Sequence, residues 1–113
     1  MFFFHIHLLL FNSEYELINT WYTPFHQGPP TLATIRPADI YREAIRYRAH
    51  SVVIVHTYAT RNPTPTAEAL DLIRTVGQTA TTLDIRIHDY LTIGTQGVHA
   101  LSRYPDLANP SPP

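Results

Sequence analysis

The stretch that decides the fold is Ser51-Val52-Val53-Ile54-Val55-His56, a run of β-branched residues in the middle of the chain. A continuous apolar run of this kind is typical of a central strand covered on both faces. Helical patterns flank it on both sides, and strands that alternate with helices indicate α/β layers around one sheet. The sequence therefore predicts an α/β fold built around this strand.

Two helices are predicted beside that strand. The first begins at Pro37, because proline suits the first turn of a helix, and should end near Ala49-His50. The second begins at Pro65 or Ala67, directly after a threonine that can cap it. The residues at helical spacing that should form their inner faces are Ile40, Tyr41, Ala44, Ile45 and Arg48, and then Ala69, Leu70, Ile73, Val76, Gly77 and Ala80.

Four further strands are predicted, two on each side of the helical region. They are residues 2–11, expected to be covered on both faces; 17–22, pairing back as a hairpin; 85–93; and 98–101, a second hairpin. Pro24 and Gly28-Pro29-Pro30 break the chain into a loop. The expected fold class is thus α/β, a single three-layer-like domain with a mixed central sheet in the order β-β-α-β-α-β-β. It occupies residues 1–104, and residues 105–113 form a Pro-rich flexible tail.

Composition excludes several chemistries. The chain has 113 residues and no cysteine, which excludes disulfides, thiolate zinc sites and cysteine nucleophiles. All 8 basic residues are arginine, so Schiff-base lysine chemistry is excluded as well. The net charge of −1 does not support a nucleic-acid partner. The apolar N-terminal run has no basic flank and is too short to span a bilayer, so no membrane association is expected and a cytoplasmic location is the default.

Several segments, in their order and spacing, carry a resemblance to a known family. They are Asn12-Ser13, Leu17-Ile18, Arg36-Pro37-Ala38-Asp39-Ile40, Ser51 to His56, Pro63-Thr64-Pro65-Thr66 and Ile87-His88-Asp89-Tyr90-Leu91-Thr92-Ile93-Gly94. Together they resemble the JAB/MPN (JAMM) domain of bacterial RadC-like proteins, from roughly Phe4 to Leu101. The resemblance implies an MPN-type α/β fold with cytidine-deaminase-like layering. It also implies zinc metallopeptidase ancestry.

The resemblance further implies a metal site, and this chain departs from it. The family motif is His-x-His, seven residues, Ser, two residues and Asp, where two His and Asp hold zinc and an upstream Glu activates water. At those positions stand His56, Tyr58, Thr66 and Ala69, and Trp21 aligns with the Glu. A protonated phenol is a poor zinc ligand, and alanine has no donor at all. His56 and Thr66 are therefore vestigial parts of a degenerate motif, and no catalytic residue is assigned.

Two functions follow from this pattern. The first is a catalytically inactive RadC-like JAB domain that acts as a binding or scaffold module, a pseudoenzyme with no cofactor. The alternative is a zinc-dependent metallopeptidase or isopeptidase-type hydrolase in which His56 converges with relocated ligands such as His5, His50, His88 or Asp89. A protein partner is unspecified, a homodimer follows only from family analogy, and the family's DNA-repair label gains no support from the charge.

Other polar residues have simple structural interpretations. His5 and His7 alternate along a strand and should share one face. His88 and Asp89 are adjacent in a strand and should point to opposite faces. The arginines at positions 36, 42, 46 and 48 form either a phosphate-binding helix or, as favoured here, a solvated helix face.

Overall fold

The computed structural model describes residues 3–22, 26–27, 37–58 and 67–100. The strands are β1 (Phe3–Phe11), β2 (Leu17–Tyr22), β3 (His26–Gln27), β4 (Ser51–Tyr58), β5 (Arg86–Gly94) and β6 (Gly97–Ala100). The helices are α1 (Pro37–Arg46) and α2 (Ala67–Thr82). The predicted cap of α2 and the boundary between the domain and its tail lie outside the described residues.

The strands form one mixed sheet in the order β2-β1-β4-β5-β6, and the short β3 pairs with the start of β1. Strands β4 and β5 are parallel, while the other neighbours are antiparallel. The α/β class, the mixed sheet and both hairpins are therefore confirmed. Strand β3 was missed, because it lies inside a segment rich in Pro and Gly that predicted only a loop.

Both described helices pack against the same face of the sheet. The core residues Ile6, Leu8 and Leu10 of β1 and Val52 and Ile54 of β4 alternate along their strands, and they form one cluster with the inner residues of both helices. Helix α1 also touches α2 directly, since the Tyr41 hydroxyl donates a hydrogen bond to the carbonyl oxygen of Val76 at 3.3 Å. The central strand β4 is buried on both of its faces between Ser51 and Ile54, as predicted, because Ser51 and Val53 on the opposite face are buried too.

The core lies between this inner face and the helices. Its buried apolar members are Ile6, Leu8, Leu10, Ile40, Ala44, Ala49, Val52, Ile54, Ile73, Val76, Ala80, Ile85, Ile87 and Tyr90. The opposite face is here called the outer face. Phe11, Ser51 and Val53 lie on it because each is next in sequence to an inner residue, and Arg86 lies on it because it pairs with Ser51. The inner residues predicted for α2 are confirmed at Ile73, Val76 and Ala80.

Helix α1 ends earlier than predicted. Arg48 adopts a positive φ of 53°, and the amide of Ala49 donates to the carbonyl oxygen of Ala44 at 2.8 Å. This bond pattern is a Schellman motif, which terminates a helix and turns the chain. The expected end near Ala49-His50 and the assignment of Ile45 and Arg48 to the inner face were therefore wrong, since both side chains are exposed. Helix α2 ends in the same way, with Asp84 at a φ of 58° and Ile85 bonded to Ala80.

Candidate metal centre

His56 lies near the carboxyl end of β4, on the inner face of the sheet. It pairs with Ile6 of β1 and Thr92 of β5. Helix α2, at whose start the resemblance places further positions of the site, follows β4 in the same β4-α2-β5 unit. In parallel α/β units the carboxyl ends of the strands are the usual place for a binding site. Here, however, the imidazole is packed inside the domain, with 1% of the residue exposed.

The described partner of His56 is Tyr90 of β5. Its Nδ1 lies 2.8 Å from the Tyr90 hydroxyl oxygen, and both side chains are buried. Either the phenol donates to an unprotonated Nδ1 or an Nδ1–H donates to the phenol oxygen, depending on the tautomer. Burial lowers the pKa of His56 from 6.5 to about 4, so the imidazole is neutral at pH 7.

A β-bulge brings Tyr90 to this position. The pairing of β4 with β5 shifts between Val52 and Val53, which pair with Ile87 and Asp89 respectively. Ile87 and Tyr90 therefore both lie on the inner face, although a regular strand would place them on opposite faces. The same bulge puts His88 and Asp89 both off the inner face, so the prediction that they point to opposite faces was wrong.

The other positions at which the resemblance implies a metal motif are only partly described. The backbone of Tyr58 pairs with Phe4, while its side chain lies outside the described residues, as does Thr66. Ala69 lies in the first turn of α2. Trp21 is half-buried and pairs with Leu8, which places it on the same inner face as His56, two strands away. An indole at that position has no group that can act as a base.

The relocated-ligand candidates whose side chains the structure describes, His50, His88 and Asp89, do not converge on His56. His50 and His88 both pack against the ring of Tyr15, with centroid distances of 5.9 and 5.4 Å. The Asp89 carboxylate accepts a hydrogen bond from the amide of Tyr90 at 2.8 Å. His50 precedes β4, so it lies roughly 20 Å from His56 at about 3.3 Å per strand residue. His7 pairs with Val55 and lies on the outer face, and the side chain of His5 is outside the described residues.

Among the described residues, no three His, Asp or Glu side chains are grouped so that they could hold a metal ion. The donor set therefore does not fit the three-ligand zinc site that the resemblance implies. That the wild-type protein binds no zinc stays a prediction, because only the backbone of Tyr58 is described. Two polar residues near His56 were not singled out from sequence: Thr92 beside it, and His99, which pairs with Thr92 on β6.

The arginines of α1 make local ion pairs. Arg42 pairs with Asp39, and the Arg46 guanidinium lies 4.0 Å from the Glu43 carboxylate. Both arginines are exposed, as expected for a solvated helix face, and Arg36 lies outside the described residues. No helix in the described ranges is long and apolar enough to cross a membrane.

The fold and the position of His56 define a small α/β domain with a histidine at the carboxyl end of a parallel strand. Residues 5–105 match the family described as RadC-like JAB domain, and the chain belongs to that family. The predicted family is thereby confirmed.

Relatives of the chain are UPF0758 proteins. It is 28% identical over 91 residues to one from Symbiobacterium thermophilum, covering 80% of this chain and 38% of the relative. It is 26% identical over 94 residues to one from Syntrophotalea carbinolica, covering 83% and 40%, respectively. It is 34% identical over 62 residues to one from Carboxydothermus hydrogenoformans, covering 55% and 27%. The chain thus spans about two fifths, or less, of the length of these relatives.

Proposed function

We propose that this chain is a non-catalytic RadC-like JAB domain that acts as a binding or scaffold module. The observation that carries the proposal is the buried pair of His56 and Tyr90, 2.8 Å apart between Nδ1 and the hydroxyl oxygen. One of the two imidazole nitrogens is thereby committed to a phenol. The remaining motif positions offer a phenol at Tyr58 and a methyl group at Ala69.

Burial of His56 further supports a structural role. A general acid or base must reach the proton that it transfers, directly or through one water molecule. With 1% of its surface exposed, His56 is screened from solvent and from any substrate of peptide size. Its pKa of about 4 also leaves it neutral across the physiological range, as suits a core residue.

The alternative, a zinc-dependent hydrolase with relocated ligands, needs side chains that converge on His56. The described candidates, His50, His88 and Asp89, lie away from it, with the two histidines against Tyr15. The proposal therefore involves no cofactor. Under this proposal the chain binds a protein partner, which is either an unidentified protein or a second copy of the chain.

Zinc content tests the proposal directly. The wild-type protein, purified without chelators or an affinity tag, is analysed by elemental mass spectrometry beside the double variant Tyr58→His, Ala69→Asp. We expect no stoichiometric zinc in the wild type and about one zinc ion per chain in the double variant, because three protein donors are then restored. Adding His56→Ala to the double variant should remove that zinc.

A matched control is the double variant Tyr58→Phe, Ala69→Asn, which alters the same positions without adding an imidazole or a carboxylate. It should bind no more zinc than the wild type. Stoichiometric zinc in the wild type that His56→Ala abolishes would contradict the proposal and favour the hydrolase.

A further inference from the structure

The turn between β1 and β2 holds Tyr15 in a strained and fixed position. Its φ is 59°, a left-handed conformation that bulky residues rarely adopt. The Asn12 side chain fixes the turn, because its Oδ1 accepts hydrogen bonds from the amides of Glu14 and Glu16, both at 2.9 Å. The amide of Tyr15 also donates to the carbonyl oxygen of Asn12 at 3.0 Å. The ring is nevertheless 49% exposed, so burial of the ring is not what requires the strain.

A pocket of about 260 Å³ lies beside this ring, lined by Phe11, Tyr15 and His88. His50 packs edge-on against Tyr15 at 5.9 Å, with an interplanar angle of 86°. His88 reaches the pocket because of the bulge in β5, which moves its side chain off the inner face. Bulges are common where a sheet has to redirect one side chain toward a site.

From these observations we infer that the pocket is a binding site for a small planar aromatic ligand with a hydrogen-bond acceptor on its ring. The ligand's ring stacks on Tyr15 and Phe11, since aromatic faces prefer offset or edge-on contact with other rings. Its ring acceptor takes a hydrogen bond from the His88 imidazole, which lines the pocket. The strain at Tyr15 then has a purpose, because it holds one wall of the pocket open and rigid.

This site is separate from His56. It lies at the opposite end of β4, on the outer face, and its residues take no part in the family motif. The inference therefore does not rest on the proposed function, and either can fail without the other.

The test is a titration of the full chain, labelled with ¹⁵N, with three small probes followed by NMR chemical shifts. Adenine and quinoline are planar and have ring acceptors, whereas cyclohexanol is of similar size but is neither planar nor aromatic. Adenine and quinoline should give saturable shifts of the amides of Phe11, Tyr15 and His88, with half-saturation at roughly millimolar concentration. Cyclohexanol should give none.

Variants at Tyr15 separate the ring from the backbone. Tyr15→Asn tolerates the left-handed conformation but lacks the ring, so it should fold and bind adenine at least about tenfold more weakly. Tyr15→Phe should bind within about twofold of the wild type, because it keeps the ring. The inference is overturned if neither aromatic probe gives saturable shifts, if cyclohexanol shifts the same amides equally, or if Tyr15→Asn binds as well as the wild type.

Discussion

The hydroxyl of Tyr90 and the Nδ1 of His56 are joined across two neighbouring parallel strands, 34 residues apart in sequence, inside the core of the domain. The phenol thus occupies Nδ1, one of the two ring nitrogens of His56. The pair ties β4 to β5 at the place where the resemblance would put a metal.

Removing this hydrogen bond should destabilise the protein. Tyr90→Phe keeps the ring but leaves the buried Nδ1 without its phenol, which costs about 1–3 kcal/mol in the free energy of unfolding. Urea denaturation monitored by circular dichroism measures it. Tyr41→Phe is the matched control, because it removes a longer, half-buried hydrogen bond of 3.3 Å to Val76 and should cost less. If Tyr90→Phe is as stable as the wild type, the pair contributes nothing and the structural role of His56 is in doubt.

Sequence patterns predicted those parts of the fold that depend on local order. The hairpin from β1 to β2 follows from an apolar run, the Asn12 turn and a second β-rich run. The start of α1 at Pro37 follows from the conformation that proline imposes. Its end could not be predicted in this way, because Arg48 adopts a conformation for which the sequence carries no glycine or asparagine as a signal.

The candidate site was predictable in its position and not in its contacts. The β-branched run places His56 at the end of a strand, and the family spacing points to it. The contact with Tyr90 depends on the register of β4 against β5 and on one extra residue at the bulge. Strict alternation from His88 would have placed Tyr90 on the same face as His88, and no local sequence pattern marks the bulge.

Acid should weaken the fold through His56. Its pKa is about 4 in the folded protein and 6.5 as an ordinary histidine, so the unfolded chain binds the proton more readily. The stabilisation is complete above pH 6.5 and is lost as the pH falls from 6.5 to 4, by up to about 3 kcal/mol. The free energy of unfolding, measured between pH 7.5 and 4, should show this loss.

Variants assign that pH dependence to one residue. His56→Gln removes the titrating group and should flatten the decrease between pH 6.5 and 4, even if the variant is less stable overall. His88→Gln removes an exposed imidazole instead and should leave the curve unchanged. If the free energy of unfolding of His56→Gln falls between pH 6.5 and 4 as much as that of the wild type, other groups cause the decrease.

Gly77 is a site where the helix can be strengthened. It lies inside α2, and a Cβ added there would meet no atom within 4 Å. Gly77→Ala should raise the free energy of unfolding by about 0.5–1 kcal/mol, because alanine loses less backbone entropy in a helix. The neighbouring exposed residue provides the reverse control, since Gln78→Gly should lower it by a similar amount. Equal stabilities for all three proteins would mean that α2 is not formed in solution as described.

Arg48 and Asp84 occupy equivalent positions, each being the left-handed residue that ends a helix and leads into a parallel strand. Glycine adopts this conformation without a steric penalty, so Arg48→Gly should stabilise the fold by about 0.5–1 kcal/mol. Asp84→Gly should gain less, because aspartate already tolerates the left-handed region better than arginine does. Thermal unfolding followed by calorimetry ranks the two variants. Arg46→Gly, in the last helical turn, should be destabilising by contrast, and a similar loss in Arg48→Gly would rule out the described end of α1.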